Sequence, residues 1–352
     1  MLIVNKGRRN TGRGTDRVCE QTYKALLSLG FDVRLNEYTG SYIKSILAEW
    51  VGFGVLFTGR EMTISANGRV SPLKVLLRER FSIIVLDWMN YIASPMDLMC
   101  SPRQLISRLH HTAMSRLSLR YSDCVYTISN KVKRETEEKL GRWGSKKPVF
   151  LLQPYGSFTI EKCGEIQKEV DNENWAIWTT GMTKNKAYAR GKPFLEDLGL
   201  DIVYRVVGVR KNNNGSRRFY YRERRYNEDE MVCLYRYSRI AFCLSQDEGF
   251  GLPFLDAILF GIPVVSTNIA THREIAEYVG NITSEVGAEK PEIWWLENSE
   301  VLSSSKNLRE WCQERIENRE IGHEERVRRY IQLNAILKDR FKKQLQEGLS
   351  IE

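Results

Sequence analysis

Residues 245–267 read SQDEGFGLPFLDAILFGIPVVST and follow directly on an apolar run, Ile240 to Leu244 (IAFCL). That run has the length and composition of a buried parallel strand. Ser245 to Gly251 then reads as a loop, and Leu252 to Phe260 as a helix ended by Gly261, with Pro263 to Ser266 as the next strand. Pro253 falls in the first turn of the helix, where its missing N–H would have gone unpaired in any case. Gly249 and Gly251 let the backbone approach a ligand closely and adopt conformations barred to other residues. The pattern predicts backbone N–H groups and a helix amino terminus delivered to one point, which is an anion site. It lies at the carboxyl end of a strand, where open α/β sheets bind ligands.

Outward from this segment the chain alternates short apolar runs with longer amphipathic ones. Toward the amino terminus, Leu2 to Asn5 reads as a strand and Gly7 to Gly14 as a Gly/Arg-rich turn. A helix from Asp16 to Leu29 follows, capped by Gly30, and then a strand from Phe31 to Leu35. Further strands fall at Ser82 to Leu86, Val125 to Ile128 and Val149 to Leu152, with Ser129 capping a helix over Lys131 to Leu140. The pattern restarts with strands at Trp175 to Thr179 and Asp201 to Val207, a helix at Pro193 to Leu198 between them, and a helix opened by Asn227 and running to Tyr237. Val209 to Arg225 is polar and basic and reads as a loop. Asn307 to Gln346 is charged and helical in pattern. This β-α alternation predicts two doubly wound parallel-sheet domains. The boundary falls in Gln-Pro-Tyr-Gly, giving domains 1–155, joined by the carboxyl-terminal helix 328–352, and 156–327.

Size and composition agree with that division. A chain of 352 residues exceeds what one core usually supports. Its 42% apolar and 28% charged residues are ordinary for a globular protein. No run of eighteen apolar residues is present, and the basic residues of MLIVNKGRRN follow its apolar stretch, which excludes the signal-peptide pattern and predicts a cytoplasmic protein. The seven cysteines (Cys19, Cys100, Cys124, Cys163, Cys233, Cys243, Cys312) are scattered and contain no C-x-x-C pair, which speaks against a disulfide framework and a zinc site. The four histidines include an adjacent pair, His110 and His111, that points in two directions on a helix. The net charge of +9 favours an anionic partner. No helix-turn-helix or RNA-binding aromatic motif accompanies it, so nucleic acid is kept only as an alternative partner. Residues 103–120 form an amphipathic stretch with Arg103, Arg108, Arg116 and Arg120, suited either to a membrane surface or to packing on its own sheet.

Two carboxylates flank the anion site: Glu248 just before the glycines and Asp256 one turn into the helix. Aimed at a phosphate they would repel it; placed on either side they accept hydrogen bonds from hydroxyl groups. A nucleotide sugar has that layout, with sugar hydroxyls, a diphosphate and ribose hydroxyls in order. These residues resemble a known signature. Glu248-Gly-Phe-Gly-Leu-Pro through Asp256-Ala, then Gly261-Ile-Pro-Val-Val, is similar to the E-x7-E segment of the retaining GT-B glycosyltransferases of family GT4, or glycosyl transferase group 1. Thr271-His272-Arg273-Glu274-Ile275 and Glu228-Asp-Glu-Met resemble the segments on either side. Asp123-Cys-Val-Tyr-Thr-Ile-Ser129, Pro154-Tyr-Gly156 and Gly12-Arg13-Gly14 resemble, more faintly, the family's amino-terminal strand, interdomain exit and glycine-rich loop.

The resemblance implies two Rossmann-like domains facing across a cleft that close over the donor. It implies transfer of a hexose, with retention, from a nucleotide-diphosphate sugar to a hydroxyl of a glycan, lipid or other acceptor, without a metal or cofactor. Glu248 would contact the donor sugar, Asp256 the ribose, and the backbone of Gly249, Phe250, Gly251 and Leu252 the diphosphate, with Gly12 and Gly14 in the glycine-rich loop. The chain departs from the family at Asp256, which is one methylene shorter than the usual Glu, and at Met182, which stands after Gly181 where an Arg is usual. Lys186 and Arg190 are the candidate replacements for that charge. Asp87, in Asp87-Trp88-Met-Asn90, is the candidate on the acceptor side. A DNA-modifying glycosyltransferase, another enzyme on the same scaffold and a non-catalytic interaction protein remain as alternatives.

Overall fold

Parallel strands cannot be joined by tight turns, so each must be followed by a crossover, usually a helix. A computed structural model describes residues 2–8, 14–38, 62–65, 80–87, 102–145, 147–160, 174–180, 188–209, 218–221, 226–297, 304–317 and 322–350, and both of its sheets obey that rule. The chain divides into two compact units, Met1–Pro154 with Lys338–Glu352, and Tyr155–Leu337.

The first unit contains β1 (Leu2–Arg8), α1 (Gly14–Ser28), β2 (Val33–Tyr38), β3 (Met62–Ser65), β4 (Phe81–Val85), α2 (Pro102–Tyr121), β5 (Val125–Thr127), α3 (Asn130–Arg142) and β6 (Val149–Leu151). Its strands pair in parallel in the order β2-β1-β3-β4-β5-β6. Every residue of β4 is buried, which is why its sequence, FSIIV, is apolar almost throughout. Asp123 Oδ2 accepts the Phe81 N–H at 2.7 Å and so ties the start of β5 to the start of β4. Ser129 Oγ accepts the Val132 N–H at 3.2 Å and caps α3, an interaction worth about 1 kcal/mol. Helix α2 turns Met114, Ser118 and Leu119 inward, so this part of the amphipathic stretch serves packing. Among the described residues no helix is long and apolar enough to cross a membrane.

The second unit contains β7 (Trp175–Thr179), α4 (Tyr188–Leu198), β8 (Val203–Val207), β9 (Phe219–Tyr220), α5 (Glu228–Tyr237), β10 (Ile240–Cys243), α6 (Leu252–Leu259), β11 (Val264–Thr267), α7 (Ala270–Glu285), β12 (Ile293–Leu296), α8 (Lys306–Glu317) and most of α9 (His323–Leu349). Its sheet is also parallel throughout, in the order β12-β11-β10-β7-β8-β9. One face carries a core of Trp178, Tyr204, Phe219, Phe242 and Leu244 packed with Phe194, Leu195 and Leu198 of α4. Asn227 and Glu230 form a reciprocal capping box at the start of α5, with both bonds at 2.8 Å. At its other end the buried Arg326 gathers the carbonyls of Tyr235, Arg236 and Ser238, at 3.5, 3.3 and 2.5 Å, opposite the negative end of the helix dipole.

The last turns of α9 return to the first unit. There the Tyr126 hydroxyl donates to Leu345 O at 3.2 Å and the Gln153 N–H donates to Gln344 Oε1 at 2.9 Å. Gly348 lies so close to Tyr126 that a Cβ would stand 2.4 Å from its hydroxyl.

Three of the differences from the sequence expectation have a clear physical reason. Helix α4 begins at Tyr188 rather than at Pro193, which lies inside it. Tyr188 and Gly191 pack onto Trp178, and that contact outweighs the hydrogen bond the proline cannot make. The basic stretch 209–225 is not all loop, because Phe219 and Tyr220 pair with β8. Gly7 and Arg8 belong to β1 and Gly14 to α1, rather than to a turn.

Candidate functional site

In a doubly wound sheet the ligand crevice opens where the strand order reverses, outside the carboxyl ends of the strands. In the second unit the chain proceeds from β7 through β8 to β9 on one side, then returns to place β10 on the other side of β7. The exits of β7 and β10 therefore flank the switch point. The exit of β10 is the glycine-rich segment, and the start of α4 follows the exit of β7.

Gly251 is the N-cap of α6, at φ +109 and ψ +48, a conformation that an L side chain does not adopt without strain. No side chain caps this terminus, and Pro253 occupies its first turn. The remaining α6 surface is apolar and buried, including Leu252, Phe254, Leu255, Ile258 and Leu259, so the helix is fixed in the core with its positive end at the carboxyl edge of the sheet. The loop is held from below by β11: Thr267 Oγ1 donates to Ser245 O and, at 3.4 Å, to Cys243 O.

His272, 1% exposed, lies beneath the loop. Its ring stacks on Phe254 with centroids 4.5 Å apart and planes at 14°. Its Nδ1 is 2.8 Å from Ser266 Oγ and 3.4 Å from Thr267 O. With the proton on Nδ1 the ring donates to Ser266 Oγ or Thr267 O, and with it on Nε2 the ring accepts from the Ser266 hydroxyl. The other edge of the ring faces Gly251, where a Cβ would be 3.0 Å from Cδ2 and 3.2 Å from Nε2. The histidine and the glycine are thus one packing decision.

Glu248 is half-buried in the loop, with Gly249, Phe250 and Gly251 buried after it. Arg190 is half-buried in the first turn of α4. That turn is locked by the Tyr188 ring stacked 5.5 Å from Trp178, by a 2.8 Å bond between the Tyr188 and Tyr221 hydroxyls, and by Gly191, whose Cβ would come within 2.6 Å of Trp178. Asp256 is 3% exposed, and its Oδ1 accepts the Ser157 N–H at 2.7 Å. It thus sits inside the packed helix with one oxygen on the Ser157 N–H. Burial pushes the hydroxyl pKa values of Tyr235 and Tyr330 well up, and the charge of Asp256 adds to the effect.

The structure therefore brings Glu248, Gly249, Phe250, Gly251 and Leu252 into one loop. It puts Arg190 in the helix that follows the neighbouring strand. Lys186 and Gly12 lie outside the described residues. Gly14 opens α1 in the first unit, and Asp87 is exposed two residues past β4, also in the first unit. Sequence reasoning passed over Gly208, at φ +97, whose Cβ would stand 2.0 Å from Thr180 O. The Thr180 N–H in turn donates to Val207 O at 2.9 Å, so only glycine lets the exits of β7 and β8 run this close. Among the described residues no three His, Cys, Asp or Glu side chains come together as a metal ion requires.

Residues 221–285 match the model of the family described as glycosyl transferases group 1. No curated protein sequence matches the chain. Among solved structures, sucrose-phosphate synthase from Thermosynechococcus elongatus is similar with a TM-score of 0.62 and 13% identity over 100% of this chain and 99% of that one. A structure titled trehalose-6-phosphate from E. coli bound with UDP-2-fluoro glucose gives a TM-score of 0.60 and 10% identity, covering 99% of this chain and 98% of that one. A UDP-forming α,α-trehalose-phosphate synthase from Burkholderia vietnamiensis gives 0.58 and 11%, covering 98% and 99%. At these identities the likeness shows the fold, which is GT-B.

Proposed function

We propose that this chain, a glycosyltransferase of group 1 on the GT-B fold, moves a hexose from a uridine-diphosphate sugar to an acceptor hydroxyl with retention at the anomeric carbon. The observation that carries the reading is the uncapped amino end of α6 beside Gly249 and Gly251, at the switch point between β7 and β10. That end receives the diphosphate. Glu248 accepts hydrogen bonds from the hydroxyls of the donor sugar. Arg190 supplies positive charge from the start of α4, after β7; Lys186 is the alternative that the sequence offers for that charge. Asp256 is the candidate for the ribose hydroxyls through Oδ2, its Oδ1 accepting the Ser157 N–H.

In the reaction the bond between the anomeric carbon and the diphosphate oxygen breaks, the acceptor oxygen bonds to that carbon, and the acceptor proton leaves. Negative charge grows on the departing diphosphate, where the helix end and the Arg190 guanidinium offset it. Charge held in place before the reaction begins usually lowers the barrier more than any other single effect. The choice of uridine is supported by the similar structures, one bound to UDP-2-fluoro glucose and one a UDP-forming synthase. Those proteins are also named for making sugar phosphates, so a phosphorylated sugar is the first acceptor to test. Five cysteines among the described residues are free, four of them buried, which accords with a cytoplasmic enzyme.

Thermal-shift titration with UDP, GDP, ADP and TDP tests the reading. UDP is expected to raise the melting temperature most. Glu248→Ala is expected to weaken UDP-glucose binding more than UDP binding. A protein that none of the four nucleotides stabilises would not be a nucleotide-sugar transferase, and the non-catalytic alternative would replace this one.

A further inference from the structure

Tyr204 and Val206 of β8 point into the core already described, which leaves Val203, Arg205 and Val207 on the other face of the sheet, each only half-buried. On that face cations and rings alternate in one ladder. The Arg205 guanidinium lies against two rings, its Cζ 4.2 Å from the centroid of Tyr220 in β9 and 5.0 Å from that of Trp175 in β7. Trp175 meets Tyr237 edge-on at 6.2 Å, and Tyr237 carries Arg236 at 5.4 Å and the His323 ring at 4.3 Å. Arg239 joins the ladder beside Trp175, its N–H donating to Trp175 O at 2.9 Å and its Nε to Asn174 Oδ1 at 3.0 Å. The Nε atoms of Arg205 and Arg236 are buried without a hydrogen-bond partner, and neither guanidinium pairs with a carboxylate among the described residues. The charges that press on His323 are those of Arg326, Arg236 and Arg239, all positive. In sequence, β9 is bracketed by Arg217-Arg218 and by Arg222-Glu-Arg224-Arg225, in a chain whose net charge is +9.

We infer that this ladder binds single-stranded nucleic acid, with Arg205 and Arg236 on backbone phosphates and a base stacked on Tyr220. A guanidinium held flat against rings keeps its planar fork of N–H donors oriented, which suits the paired oxygens of a phosphate. A half-buried cation without a counter-charge is costly, and an arriving phosphate relieves that cost. The two guanidinium groups stand at separate points of the ladder, which fits a chain of phosphates better than a single anion. Tyr220, 36% exposed at the end of the ladder, offers a ring to an unpaired base, whose face a duplex would hide. It is also the one exposed large apolar side chain of the ladder, so a bilayer would receive almost nothing to bury. The donor crevice lies elsewhere: it opens at the carboxyl ends of β7 and β10, whereas Trp175 is the first residue of β7 and Arg239 immediately precedes β10. Either reading can therefore fail without the other.

The test follows the fluorescence anisotropy of a labelled oligothymidylate with the full chain over a series of salt concentrations. Affinity should fall linearly with the logarithm of the salt concentration. Arg205→Ala and Arg236→Ala should each make that slope shallower by about 0.7, the share of one phosphate on a single strand. Tyr220→Leu keeps the strand and should weaken binding about tenfold at any one salt concentration, with the slope unchanged. Saturating UDP should leave the oligonucleotide bound. No binding by the wild type at low salt would overturn the proposal, as would wild-type slopes in both arginine variants. Displacement by UDP would put the oligonucleotide in the donor crevice and overturn it too. Unlabelled duplex, or phosphatidylserine vesicles, competing better than unlabelled oligothymidylate would assign the ladder to that partner instead. Should Arg205→Ala fail to fold, the slope of Arg236→Ala decides alone.

Discussion

Gly251→Ala should be among the most damaging one-methyl changes in the second unit, and Gly287→Ala is its control. Both glycines have positive φ, +109 and +67. The left-handed basin open to other residues spans roughly +50° to +70°. Alanine at 287 would therefore sit inside that basin, with nothing within 4 Å of its Cβ, and should cost about 1 kcal/mol. Alanine at 251 would sit outside the basin, with its Cβ 3.0 Å from a His272 ring that Phe254 and Ser266 prevent from moving. Backbone strain of about 1–2 kcal/mol and overpacking of a similar size bring the cost to about 3 kcal/mol. At about 2–4 °C per kcal/mol for a unit of this size, the expected falls in melting temperature are about 3 °C for Gly287→Ala and about 9 °C for Gly251→Ala. Calorimetry resolves the two. Adding His272→Ala to Gly251→Ala should recover the steric share while leaving the strain, and stabilisation by UDP should be lost in Gly251→Ala but kept in Gly287→Ala. Equal melting temperatures for the two glycine variants would refute the claim that His272 and Gly251 were fitted to each other.

Three further outcomes follow from other contacts. Arg326→Met strips three carbonyls at the end of α5 of their buried cationic donor. It should cost about 3 kcal/mol, visible as a fall in the urea midpoint. Tyr188→Phe and Tyr221→Phe should each cost about 1 kcal/mol, and the double variant less than the sum, because each single change removes the other hydroxyl's partner in this bond; full additivity would show that the 2.8 Å bond carries no coupling. His323 packs against Tyr237 with ring centroids 4.3 Å apart and planes tilted by 55°, it lies near Arg326, Arg236 and Arg239, and burial above all lowers its pKa below 6.5. The neutral ring is therefore the form the fold prefers, and its contribution is complete above pH 6.5 and lost as the pH falls through the lowered value. Between pH 7.5 and pH 5 the wild type should lose melting temperature faster than His323→Gln, and a parallel decline would argue against the assignment.

Much of the second unit was legible in the sequence because its signals are local. Pro253 after Gly251, Gly261 after an apolar helix, and Asn227 three residues before Glu230 each specify a boundary through backbone chemistry within a few residues. What escaped the sequence is set by partners distant along the chain. The tie between Asp256 and the Ser157 N–H, ninety-nine residues away, has no signal in the sequence around either residue. Gly208 is one more loop glycine until Thr180 O occupies the space of its Cβ. Phe219 and Tyr220 form too short a strand to show a period, and they lie in a basic stretch that argues for loop. Helix α4 hid behind Pro193, since a proline in a sixth position looks like a first turn. The positions of Lys186 and Gly12 stay with the sequence reading, because both lie outside the described residues.

The return of α9 to the first unit sets an order on biogenesis. Residues 1–154 leave the ribosome before residues 155–337, yet Tyr126 and Gln153 donate to Leu345 and Gln344, which leave it after them. At about 5–20 residues per second, synthesis of the intervening stretch takes roughly 10–40 s. Throughout that time the early sheet waits without the acceptors that the final helix brings to a buried tyrosine hydroxyl and a backbone N–H. The second unit is continuous in sequence and has no such wait. The half of the molecule made last is therefore the half able to fold first, and the half made first depends in the interval on whatever shields an incomplete sheet from its neighbours.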